Sequence, residues 1–386
     1  MKSVFLNSIT EISADSWNAV AKTDYPFIRH EFLAAMELSK SACTETGWQP
    51  QHLVVYEADS VVAIMPLYLK NHSYGEYIFD WSWASAYERY GVNYYPKLLS
   101  AIPFTPATGP RLACLESVDK TALYTFITKA LQQQAIHCEA SSIHILLPDN
   151  KEATAWDKQG LVTRASNQFH WFNHNYQSFD DFLAVFSSRK RKNLNKERRR
   201  IEQQGITLQR HIGPEISSTM WDTFYNFYQM TYAKRSGHGG YLTRSFFDLL
   251  NQKMPEQVML VLAEYQGRYV AGALYFFSAT TLYGRYWGCT HEFEMLHFEA
   301  CYYQGIEFCI NNKLQKFDAG AQGEHKIQRG FEPITTWSNH WIKDKRFAAA
   351  INDYIQRETE SNAAYIDDAR SYLPFKKQEP QEPQEE

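Results

Sequence analysis

The sequence predicts a mixed α/β fold made of two halves that repeat one order of elements, and three observations carry that reading. The chain has 386 residues, 44% hydrophobic and 21% charged, which is globular composition and enough length for two or three domains. Strand-like runs rich in β-branched and aromatic residues alternate with helical segments, the pattern of mixed sheets covered by helices. An echo about 208 residues apart gives both halves the same succession of elements, so duplication is the better reading than chance.

The echo begins with two hairpins. His52–Tyr56 turns at Glu57–Ser60 into Val61–Leu69, and Val258–Ala263 turns at Tyr265–Arg268 into Tyr269–Phe277. A third strand carrying Tyr-Gly is expected after each, at Tyr74-Gly75 and at Tyr283-Gly284. The first half continues with a Tyr/Pro-rich helix near Tyr94–Ala101 and a loop holding Pro103, Pro106, Gly109 and Pro110. A helix at Val118–Gln134, a strand at Ser142–Leu147 and a strand pair around Leu161–Asn173 follow. In the second half Phe298, Tyr302, Ile306 and Ile310 recur every four residues, which predicts a helix over Leu296–Leu314 with one apolar face. Lys316–Gly320 then reads as a strand. These elements predict one domain over residues 1–175 and another over 176–375. The tail from Lys376 to Glu386 repeats Gln-Glu-Pro and is predicted to be disordered.

Charge and motif spacing exclude several functions. The net charge is −4, so the protein as a whole is no general nucleic-acid binder. None of the six cysteines forms a C-x-x-C pair, and their sparseness fits reduced thiols in the cytoplasm. The first ten residues do not read as a signal peptide, and no apolar run approaches the roughly 18 residues of a membrane span. A cytoplasmic protein is therefore expected. His291 and His297 stand six apart, on different faces of a helix, so they do not make a zincin site, and no metal is predicted. No P-loop and no dinucleotide fingerprint is present.

Three segments could carry chemistry. Between Ser188 and Arg200 eight Lys or Arg stand against Glu197 alone, a local +7 that leaves −11 for the rest. Phe186, Leu194 and Ile201 supply a thin apolar seam, so a helix with a basic exterior is expected, suited to phosphate-bearing ligands. Gly320-Ala-Gln-Gly-Glu-His-Lys326, with Arg329 behind it, joins two glycines to a possible base (Glu324 or His325) and to cations for an oxyanion or carboxylate. As a loop side chain Lys326 is expected to add little to stability. The third segment type mixes aromatic and charged residues, at Asp80–Arg89 and Tyr283–Trp287. Arg285, among the aromatics Tyr283, Tyr286 and Trp287, needs a partner.

On these residues the sequence resembles the FemAB-like group of N-acyltransferases of the GNAT superfamily. The matching stretches are Pro26–Leu33, Pro66–Tyr77, Phe79–Ala84, Pro103–Arg111, Arg285–Gly288 and Gly320–Lys326. The resemblance implies two tandem GNAT-like domains and amide formation on an amine acceptor, such as a peptidoglycan-precursor-like molecule. It implies acyl-coenzyme A or an aminoacyl-tRNA as donor. The glycine loop that cradles coenzyme A in GNAT enzymes has no counterpart at Gly288–His297, which departs from the family pattern. In this reading Glu324 or His325 accepts the proton and Lys326 stabilises the oxyanion or a carboxylate. Arg285, Tyr286, Arg329, Gln322, Arg89 and Trp81 hold the acceptor, and Arg189, Arg191, Lys192, Arg198 and Arg199 meet donor phosphates. The rival reading is a non-catalytic module that recognises a cell-wall precursor or RNA on the same scaffold.

Overall fold

Runs of β-branched and aromatic residues between polar turns favour strands because such side chains pack on a pleated surface. In the computed structural model, which describes residues 1–376 apart from His238 and Gln322, they build two sheets. The first half supplies β1 (Lys2–Leu6), β2 (Trp48–Pro50), β3 (His52–Glu57), β4 (Ser60–Met65) and β5 (Tyr68–Lys70). It continues with β6 (Lys97–Ser100), β7 (Ala113–Cys114), β8 (Ser142–Leu146) and β9 (Val162–Phe172). The second half supplies β10 (Ile206–Ile212), β11 (Val258–Tyr265), β12 (Arg268–Phe277), β13 (Thr281–Cys289), β14 (Lys316–Asp318) and β15 (Glu332–Ile342). A four-stranded sheet runs β1-β3-β4-β7, and an eleven-stranded sheet runs β10-β11-β12-β13-β14-β9-β15-β8-β6-β5-β2. Both echoed hairpins are present, as β3–β4 and β11–β12.

The large sheet shows how the halves are joined. Each half contains one parallel pair, β6 with β8 and β13 with β14. The last strand of each half lies beside the other half's pair: β9 pairs with β14, while β15 pairs with β8. The two exchanged strands also pair with each other over nine positions, from Glu332↔His170 to His340↔Val162. Residue 175 falls just after β9, and the sheet continues through that point.

Four local expectations differ from the structure. Tyr74-Gly75 lies in a loop, and β6 stands near Tyr94–Ala101, where a helix was expected. Pro96 cannot sit in a helix interior, and Leu98 and Leu99, both fully buried, pair between β5 and β8. The strand pair expected at Leu161–Asn173 is the single strand β9. The helix expected over Leu296–Leu314 runs as Leu296–Phe298, a π turn at Glu299–Tyr303 and Gln304–Asn311. Of the predicted tail, Lys376 donates its backbone N–H to Val185 O at 2.9 Å; residues 377–386 lie outside the described residues.

Close packing of helices onto the sheet needs missing side chains. A Cβ on Gly288 would stand 2.2 Å from the Phe227 carbonyl carbon, so glycine lets helix Ser218–Ser236 lie against β13. One on Gly305 would stand 2.5 Å from the Phe317 ring, where helix Gln304–Asn311 crosses β14.

Between β15 and β8 His340 faces His144, with 2.6 Å between their Nδ1 atoms, so one ring donates and the other accepts. Burial, and then Lys97, pushes His144 down to about 3; burial, and then His144, pushes His340 well below its ordinary value. Asp80 opposes both shifts, and Arg164 reinforces them. Folded-state values below the unfolded one mean stability that is full above about pH 6.5 and is lost as pH falls. His340→Asn keeps a partner for His144 and removes one such group. Urea unfolding followed from pH 6.5 to pH 4 is expected to show a stability slope flatter than wild type by up to about 1.4 kcal/mol per pH unit.

Candidate functional site

Parallel strands that part leave a gap, and β13 and β14 part after three pairs, Thr281↔Lys316, Leu282↔Phe317 and Tyr283↔Asp318. There β14 ends, while β13 continues to Cys289. The wedge between them is a cavity of about 400 Å³. Gly284–Trp287 form one wall and Ala319 stands at the root. The π turn brings Cys301 and Tyr302 to the wedge beside His297, and helix Ser218–Ser236 supplies Thr231, Tyr232 and Arg235. A second cavity of about 280 Å³ shares Thr231, Arg235, Trp287 and His297 with the wedge and extends it to Cys289 and Phe293.

Arg285 occupies a bulge. Leu274 pairs with Tyr286 and Tyr275 with Gly284, so Arg285 is the extra residue of β13, and a bulge re-aims its side chain. Its guanidinium points inward to Asp318, at 2.9 Å and 3.2 Å, and donates to Gly284 O at 2.7 Å. Only 1% of either side chain is exposed. Burial alone would raise the Asp318 carboxyl, but Arg285 and then His170 hold it well below the usual carboxylate range. His170 is itself pushed down to about 4 by burial, against the pull of Asp318. The partner that Arg285 needs is thus within the protein: it borders the wedge with both terminal guanidinium nitrogens bonded and only its buried Nε left over.

The polar run Gly320–Arg329 splits in three directions. The Tyr302 hydroxyl and His325 Nε2 share a 2.7 Å hydrogen bond, which links the run to the wedge. Burial raises the Tyr302 phenol, while burial followed by Arg329 and Lys326 lowers His325, so both are neutral near pH 7. His297 is pushed down to about 3 by burial and then by His325. Lys326 is 1% exposed and donates to Gly320 O at 2.7 Å, closing the end of β14 instead of facing the wedge. Burial lowers it to about 8. This corrects the expectation of a loop side chain with little bearing on stability. Glu324 accepts from the Tyr365 hydroxyl of helix Lys345–Ser371 at 2.7 Å and does not line the wedge. Arg329 is bound by both Glu197 oxygens at 2.9 Å and lies 3.4 Å over the Phe298 ring.

Of the other expected acceptor contacts, Tyr286 lines the wedge and donates to Phe104 O at 3.2 Å. Trp81 and Arg89, both exposed, begin and end a first-half helix and do not line it. Gln322 lies outside the described residues.

The basic segment is a helix, Ser188–Gln203, seated through buried Leu194 and Ile201. Of its two acids, Glu197 docks it by taking Arg329 and the Tyr303 hydroxyl. Arg198 turns inward to Glu299 (3.0 Å) and Glu307 (2.6 Å), which corrects its placement among the phosphate contacts. Arg200 pairs with Glu294 at 2.8 Å. Arg189, Arg191, Lys192, Lys196 and Arg199 make no ion pair among the described residues. Lys192, Lys196 and Arg199 line a groove of about 950 Å³ that ends at Glu294 and Met295, next in the chain to the Phe293 of the second cavity.

Sequence reasoning passed over Arg235, His297, Tyr302 and Tyr77. Tyr302 read as part of an apolar helix face, and His297 as part of a failed metal motif. Arg235 stands exposed on the rim of both cavities without a hydrogen bond or ion pair among the described residues. Its only signal was its place before the glycines at 237, 239 and 240. Among the described residues no three His, Cys, Asp or Glu side chains group as metal ligands, and no helix is long and apolar enough to cross a membrane.

FemX is similar in structure, at 13% identity over 91% of this chain and all of that one, with a TM-score of 0.56. The C-terminal domain of a putative lysylphosphatidylglycerol synthetase from Agrobacterium fabrum is also similar, at 8% identity over 90% of this chain and 97% of that one, with a TM-score of 0.54. At such identities the likeness is one of fold. No curated protein sequence matches the chain. The model of the FemAB-like family, described as peptidoglycan biosynthesis/recognition, matches residues 8–377, and the chain belongs to that family.

Proposed function

We propose that the protein is an N-acyl or aminoacyl transferase whose amide-forming centre is the wedge between β13 and β14. The observation that carries this reading is the neutral Tyr302–His325 couple, with the phenol on the wedge and the imidazole behind it. Amide formation needs a neutral amine, a proton acceptor and a way to return the proton. The acceptor nitrogen attacks the acyl carbon, a C–N bond forms and the carbonyl becomes an oxyanion. The nitrogen's proton goes to the Tyr302 oxygen as that phenol's proton goes to His325 Nε2. Collapse of the intermediate breaks the bond to the ester oxygen or thioester sulfur, and the relay runs backward to protonate the leaving group. Of the two expected proton acceptors, His325 has this connection to the wedge.

The family description supports an acceptor from peptidoglycan synthesis, as an amine on a precursor. The charge distribution favours an aminoacyl-tRNA over acyl-coenzyme A. The loop Thr290–Met295, where a coenzyme A cradle would lie, lacks glycine and carries Glu292 and Glu294. The unpaired cations of helix Ser188–Gln203 offer a track for phosphates that leads through the groove towards the second cavity.

Tyr302→Phe keeps the ring and removes the relay. Single-turnover transfer is expected to slow by about 10²- to 10⁴-fold, with KM for both substrates nearly unchanged. A rate equal to wild type would place the proton acceptor elsewhere.

Binding of tRNA is expected to show a slope of log affinity against log salt of about −3 to −5, from four or five contacts at roughly 0.7 to 0.9 each. The triple variant Lys192→Glu, Lys196→Glu, Arg199→Glu should flatten that slope by about 2 to 3 while circular dichroism stays native. Tight acyl-coenzyme A binding, unchanged in the variant and without RNA binding, would give the donor role to the thioester.

A further inference from the structure

Among the described residues that line the wedge, Tyr77 alone comes from the first half. Its backbone stands at φ 65°, in the left-handed region that bulky side chains avoid. Both neighbours explain how it is held there. Glu76 is 4% exposed and bound to Lys97 Nζ at 2.8 Å, and Ile78 is 8% exposed in the core. With both flanks pinned in the first half, the residue between them projects across the boundary into the second. A strained residue over-determined by its surroundings and lining a cavity points to function.

The company Tyr77 keeps defines a chemistry. Its hydroxyl stands beside that of Tyr232, with Tyr241 and Tyr286 close by. No Asp or Glu lines the wedge among the described residues, and Arg235 on its rim is the cation there without a hydrogen-bond or ion-pair partner. Such a wall offers hydroxyl donors and acceptors and ring faces to an uncharged ligand, attracts an anion at one end and gives an ammonium group nothing to pair with.

We propose that Tyr77 is a specificity-determining residue through which the first half selects the acceptor. With Tyr232, Tyr241 and Tyr286 it forms a subsite for a neutral segment rich in hydroxyl and amide groups, whose anionic end meets Arg235. The assignment of this ligand to the acceptor side rests on the transferase reading of the wedge.

The test reads binding, so it does not depend on turnover. Muramyl dipeptide serves as a probe with hydroxyls, amides and a terminal carboxylate, followed by calorimetry or by Trp287 fluorescence. Wild type should bind it. Tyr77→Phe, which keeps the ring, should weaken binding about tenfold, and Arg235→Gln likewise. Tyr77→Gly suits the φ of this position, so it should fold, and it should lose binding by 100-fold or more. Affinity for tRNA or acyl-coenzyme A should stay within twofold in Tyr77→Phe and Tyr77→Gly. No binding to wild type at millimolar probe would overturn the proposal, as would unchanged binding to folded Tyr77→Gly. Parallel loss of donor and probe would show a general collapse of the wedge and would overturn it as well. If the protein proves to transfer nothing while the Tyr77 variants still lose the probe, the transferase reading fails and the subsite stands.

Discussion

The Arg285–Asp318 ion pair sits where β13 and β14 begin to part, and both the fold and the wedge depend on it. Two charges removed from water in this way are costly, and they are tolerable only when geometry and further hydrogen bonds are good. Here the guanidinium is bidentate on the carboxylate, donates to Gly284 O, and lies 5.4 Å from the Phe27 ring and 5.3 Å from that of Tyr283. The carboxylate also accepts the Gly320 N–H at 2.9 Å and stands 3.7 Å from His170. One cluster therefore ties the bulge in β13 to the end of β14, to the exchanged strand β9 and to the N-terminal segment at Phe27. Each strand can leave its neighbour beyond that point because the cluster fixes where the parting starts.

The same topology is used differently in the two halves. Beyond β6 the chain turns into the proline-bearing loop that reaches Arg111, and Arg111 is fully buried. Its guanidinium donates to Ala107 O (2.6 Å), Leu146 O (2.8 Å) and Gly109 O (2.9 Å), binding that loop to the end of β8. An arginine that satisfies backbone carbonyls closes one half, and an arginine that satisfies a carboxylate borders an open wedge in the other. Duplication supplied two similar frames, and local side chains decided which one kept a cavity.

Hairpins were legible in the sequence because strand and turn signals act within a few residues, as at His52–Tyr56 and Val258–Ala263. Strand exchange was not, since nothing local in Val162–Phe172 marks β14, rather than β8, as its neighbour. The need of Arg285 for a partner was legible, whereas Asp318, 33 positions on, was chosen by the fold. A polar run does not reveal which of its members is buried, so Lys326 read as a loop lysine. Along one basic helix only the facing carboxylates distinguish Arg198, held by Glu299 and Glu307, from Lys192, which stays in solvent. The Tyr302–His325 couple joins a π turn to a 3-10 helix, Glu324–Arg329, 23 residues later, a contact that helical periodicity at Tyr302 concealed.

Exchange of β9 and β15 also sets an order of events as the chain is synthesised. The edge of β8 has no second-half strand to cover it until β15, residues 332–342, has been made, and β9 waits for both of its neighbours. Such pairings are non-local, so the loop entropy must be met before they reward the chain. From the completion of β9 until β15 is made, the first half therefore carries uncovered sheet edges, a template for pairing with other chains. The first half reaches its mature shape only when β15, in the final quarter of the chain, closes the seam.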